Sequence, residues 1–161
     1  PTQLLVAISL ILTGLVMQPV INRMNAEALQ PYFAGQIDQA EAYKAALVPL
    51  REFMLANTRQ QDLEAFAEMA ALPDSSDIEA VPTTTIVSAF VTSELRTAFQ
   101  MGFVIFLPFI VVDLVVASVL MSMGMFMLPP QMVSLPFKLL LFVLADGWTL
   151  VVRNLVASFH V

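Results

Sequence analysis

Apolar side chains run without a charge through residues 4–21, broken only by Ser9, Thr13, Gly14, Gln18 and Pro19. As a helix, such a run is long enough to cross a hydrocarbon core of about 30 Å. A buried helix of a large assembly is the other reading of the same pattern. Pro19 is expected to kink or end it. Residues 22–72 then turn amphipathic. Ile37, Ala40, Tyr43, Leu47, Leu50 and Met54 recur every three or four positions, the stripe of a helix with one buried face. Gly35 breaks the chain ahead of that stripe, and Asp38 with Glu41 has the spacing of a capping box. Thr58 with Gln61 repeats the signature ahead of Leu63, Phe66 and Met69. Residues 73–82, rich in Pro, Asp and Ser, read as a loop.

Residues 97–137 carry a single charge, Asp113. One helix from 97 to 128 would be about 48 Å long, well beyond a bilayer core. It must bend, tilt or run outside the membrane plane, and Pro108 supplies a kink. Pro129, Pro130 and Pro136 mark a turn over 129–136, and residues 137–159 read as a last apolar helix. No segment alternates as the strands of a closed barrel would. The expectation is an all-α, membrane-associated chain in five parts. These are a hydrophobic helix at 1–21, an acidic soluble insert at 22–82, a long hydrophobic segment at 83–128, the proline turn at 129–136 and a C-terminal helix at 137–161.

Composition sharpens this picture. Hydrophobic residues make up 58% of the 161 and charged ones only 12%, with a mean hydropathy of +0.81. A soluble domain is about a quarter charged, so this surface needs lipid or partner protein around it. The net charge of −6 resides wholly in the insert, which speaks against nucleic acid and against anionic lipid headgroups. Arg23, Arg96, Lys138 and Arg153 are spread too evenly for a positive-inside bias to orient the chain. Pro1 opens without a basic leader, as though the apolar stretch belonged to a longer chain. Cysteine is absent, which excludes disulfides and thiol chemistry.

Catalytic candidates are few. The lone histidine, His160, is penultimate, and neither a zinc constellation nor a phosphate-binding glycine loop is present. The chain is read as neither an enzyme nor a cofactor binder. Charges inside apolar helices are more informative, because each is costly without a partner. Asp113 and Lys138 flank the proline turn at comparable depth and are expected to be buried on assembly, paired with each other or with another subunit. Lys138, Asp146, Thr149 and Arg153 fall within an arc of about 80° on one helix, a polar stripe. Met121, Met123, Met125 and Met127, with Gly124 and Phe126 among them, alternate beside Pro129 and Pro130. They would split over two faces of a helix but align along one side of an extended loop. Thioethers repack around varied shapes, which suits a deformable seal.

These residues resemble the FliP family of type III secretion export-gate proteins. Pro49-Leu50-Arg51-Glu52-Phe53-Met54-Leu55, Thr58-Arg59 and Asp62-Leu63 match its soluble segment. Thr92-Ser93-Glu94-Leu95-Arg96-Thr97-Ala98-Phe99, Gly102-Phe103, Pro108-Phe109 and Val112-Asp113-Leu114-Val115 match the segment after it. Ser134-Leu135-Pro136-Phe137-Lys138, Asp146-Gly147-Trp148 and Ser158-Phe159 match its last part. Phe126 departs from the family's consecutive methionines. The resemblance implies several copies in a helical ring with FliQ and FliR, beside FlhB, FlhA and the basal-body ring. It implies a bacterial inner-membrane location with a periplasmic segment, and unfolded flagellar substrates passing a pore that Met121–Met127 closes as a gasket. The run at 49–55 and the acidic insert favour the flagellar branch over the virulence injectisome. A scaffold around a pore lined by other chains, and an ion channel using Asp113 and Lys138, are the competing functions.

Overall fold

A computed structural model describes residues 1–72 and 78–160, and every regular element among them is helical. The first is α1, Thr2–Met24, which carries Pro19 inside it and continues for another turn. A five-residue π-helical turn, Asn25–Leu29, joins it to the short α2, Gln30–Phe33. Then follow α3, Gln39–Ala56, and α4, Gln60–Met69. The 40-residue α5, Thr83–Ser122, runs through Pro108 without ending. Last come α6, Pro130–Leu144, and α7, Gly147–Ala157. By length and composition α1 with α2, and α5, can each cross a membrane, and the bent pair α6–α7 can supply a further span.

Contacts divide the chain into two bodies. The first takes Pro1–Leu95 and rejoins the chain at Val156, and the second is Arg96–Leu155. In the first, α3 packs along α1 and the π-helical turn, where Ala28 has no exposed surface. Val16 and Val20 of α1, Phe53 and Met54 of α3, Val81 and Ile86 form its core. Phe53 anchors this cluster, with the Phe90 ring edge-on at 5.9 Å and the Phe159 ring stacked at 6.2 Å. The amphipathic stripe read from the sequence is therefore real only at its far end. Met54 is buried, whereas Tyr43 is 66% exposed.

Local signals explain most boundaries. Asp38 and Glu41 form the expected capping box, each side chain accepting from the other's backbone N–H at 2.8 and 3.1 Å. Gly35, at φ +70, ends α2 with paired bonds from Gly35 N–H to Tyr32 and from Gln36 N–H to Pro31. The second capping box does not form. Thr58 turns its hydroxyl back to the Met54 carbonyl at 2.6 Å, finishing α3 instead of starting α4. Arg59 takes the N-cap position, its N–H held by the buried Ser93 hydroxyl at 3.0 Å. The loop expected at 73–82 lies partly outside the described residues, and α5 begins directly after Pro82.

Arg51 ties the far side of that loop to α3. Its guanidinium donates to Thr83 Oγ1 at 2.7 Å and to the carbonyls of Val81, Ile78 and Glu79 at 3.0, 3.2 and 3.5 Å. Only a rigid fork serves acceptors in two directions at once. Arg51→Lys keeps the charge and loses the fork, and should lower the stability of the first body by about 1–3 kcal/mol. Thermal unfolding of the detergent-solubilised protein reads this, and an unchanged midpoint would refute the tie.

Candidate functional site

The second body holds the charge that the long apolar stretch retains. Asp113 lies on α5, and its Oδ2 is 2.5 Å from Lys138 Nζ on α6, both side chains half-buried. Ser134, with no exposed surface, donates its hydroxyl to the other carboxylate oxygen at 2.5 Å. That hydroxyl has one proton, and the Gln131 carbonyl at 3.2 Å is the weaker claimant. Ser134 and Lys138 stand four residues apart, so one face of α6 presents both donors to one carboxylate. The sequence reading found the two charges and missed Ser134, although that four-residue spacing was visible. Beside this polar triad the surface is apolar. Val112, Val116, Val133 and Phe137 are among the residues lining an open cleft of about 490 Å³.

The polar stripe expected on the last helix is broken. The chain bends by 60° between α6 and α7, because Asp146 adopts φ +50, a left-handed conformation that no helix interior holds. Gly147 follows, buried against the Phe142 ring so closely that a Cβ there would collide with it. Phe142 is fixed in turn by Trp148, edge-on at 5.4 Å. Lys138 therefore lies on one side of the bend and Thr149 and Arg153 on the other, with Asp146 at its corner. An Asp-Gly pair is a turn signal that the apolar run around it concealed. The turn expected over 129–136 is also shorter than read. Pro130 occupies the first position of α6, where a missing N–H costs nothing, and Pro136 sits inside the helix.

Between α5 and α6 lie the methionines. Met121 belongs to the last turn of α5, and the chain then stops at Gly124, φ +76. Gly124 N–H bonds the Met121 carbonyl at 3.0 Å and Met125 N–H the Leu120 carbonyl at 2.9 Å, the paired bonds of a Schellman ending. The set is thus a helix end and a tight turn, and not the extended loop that would line all four methionines on one side. Every member is exposed, Phe126 at 79% and Met127 at 96%. Among the described residues no three His, Cys, Asp or Glu side chains come together as metal ligands.

Comparison with known proteins places this arrangement. The FliP family model matches residues 1–155. The chain is 52% identical over 159 residues to the flagellar biosynthetic protein FliP of Bacillus subtilis (strain 168), covering 99% of this chain and 72% of that one. It is 51% identical over 160 residues to the same-named protein of Pectobacterium carotovorum subsp. carotovorum, covering 99% and 62%. For that of Aquifex aeolicus (strain VF5) the identity is 48% over 162 residues, covering 99% and 68%. The chain therefore spans between three fifths and three quarters of these relatives' length.

A double-mutant cycle tests whether the Asp113–Lys138 pair acts as one unit. Asp113→Ala and Lys138→Ala should each lower the melting temperature, since each strands a charge in apolar surroundings. The double variant should lose less than the two losses added, and Ser134→Ala less than either. Simple additivity would show that the two charges act independently.

Proposed function

The chain belongs to the FliP family and is a membrane-located component of flagellar biosynthesis. From that premise we propose that it is one of several identical pore-forming subunits of the flagellar protein-export gate. Unfolded substrate would pass along the axis of a ring built with FliQ and FliR, in the inner membrane and its periplasmic face. FlhA, FlhB and the basal-body ring would be the neighbours. The subunit's part is mechanical, with no bond of the substrate made or broken.

One observation carries this reading. In each long apolar helix the most hydrophobic 18-residue window is only 6% buried within the chain. Phe99, Phe103, Val104 and Phe106 all face outward. At forty residues, α5 has about twice the length a bilayer core accepts. Lipid alone cannot cover it, and copies of the same chain with related subunits supply the remaining surface. Within such a ring, the exposed turn at Met121, Met123, Met125, Phe126 and Met127 would repeat around the axis. Flexible thioethers then close a constriction of no fixed geometry, and an apolar constriction resists ions by dewetting.

Changing the four methionines to alanine, or shortening the turn, should raise the ion conductance of cells carrying the complex several-fold, with assembly intact. Membrane current and complex yield are measured together. An assembled complex of unchanged conductance would make the methionines packing residues and leave the family assignment untouched.

A further inference from the structure

Residues 156–160 close the core of the first body from far along the chain, and we infer that Asn57 is the latch that holds them there by their backbone. Asn57 ends α3. Its side-chain amide donates to the Phe53 carbonyl at 2.8 Å, which fixes its orientation. The same NH₂ group donates to the His160 carbonyl at 2.8 Å, and Asn57 Oδ1 accepts the His160 N–H at 2.8 Å. One side chain thus satisfies both main-chain groups of one residue, as a neighbouring strand would. Recognition of that kind is indifferent to the side chain at 160.

What the latch positions is its neighbour. Phe159 stacks on Phe53 with the rings 18° from parallel, and with Val156 it packs against the core cluster. Asn57 and His160 are 103 residues apart, and everything between 96 and 155 belongs to the other body. Closing so long a loop is entropically unfavourable, and a few local contacts must outweigh it. Residues 156–160 are therefore a strap, held on the first body by the two Asn57 bonds and the Phe159 stack. Asn57 is a positioning residue, acting on Phe53 through the strap.

Hydrogen exchange on the full-length, detergent-solubilised protein tests this at the amides of α3 around Phe53. Asn57→Ala removes both bonds to His160 together with the one to the Phe53 carbonyl, and His160→Pro removes only the N–H that one of the His160 bonds needs. Each should speed exchange there by about tenfold, while His160→Ala should leave it unchanged. The double variant should be no faster than Asn57→Ala alone, since both act on one latch. Asn57→Asp keeps the acceptor and loses the donor, and should fall between wild type and Asn57→Ala. It serves as the reading if the harsher variants do not fold. If His160→Ala matches His160→Pro, or if the two losses multiply in the double variant, the latch is overturned.

Discussion

Most side chains on α1 and on the far two thirds of α5 are apolar, and most of these face away from their own chain, so ordinary water cannot be their final surrounding. That constraint decides how charge is used. A charged group kept among apolar helices must bring its counterpart with it, because the cost of an unmet charge exceeds what packing returns. Asp113 is met by Lys138 and by a serine hydroxyl. Arg23, on the last turn of α1, is met by Glu27 at 3.2 Å and by Glu52 of α3 at 2.5 Å. Arg51 is met by a row of backbone carbonyls. Ionic and hydrogen-bonded contacts appear where elements must be held in register, and apolar surface is left over for what lies outside.

How much of this could be read beforehand follows from the range over which each signal acts. Periodicity and local spacing act within one or two turns. The all-helical architecture, the capping box at Asp38, and the breaks at Gly35 and Pro129 were therefore legible. Thr58 failed because a hydroxyl at a helix end can serve the helix behind it or the one ahead. Only the neighbouring Ser93, brought in from α5, settles that choice. The last helix failed for a related reason. Its polar residues fit one stripe only if Asp146 is helical, and the close seat of Phe142 on Gly147 fixes the bend instead.

Long-range contacts were out of reach for a single sequence. Nothing local to Asn57 announces a partner 103 residues away, and the penultimate histidine invited attention for its side chain when its backbone is what the fold uses. Arg51 stood inside a run whose likeness to the FliP family was evident, but the run gave no hint that its arginine reaches over to Thr83. The family likeness conveyed which segments matter, and the structure conveyed what each one grips.

Among the described residues four prolines lie inside helices, Pro19, Pro49, Pro108 and Pro136. Each withdraws the donor that would otherwise close on the carbonyl four residues earlier, those of Leu15, Ala45, Val104 and Met132. In water such a carbonyl is solvated at little cost. In hydrocarbon it is a vacancy worth filling, and a hydroxyl or amide from an adjacent helix fills it well. Leu15, Val104 and Met132 are all exposed. Each of these apolar helices thereby carries an acceptor site at a fixed position along its own length. Greasy helices can slide past one another with little change in energy. Helices that share a hydrogen bond at one height cannot.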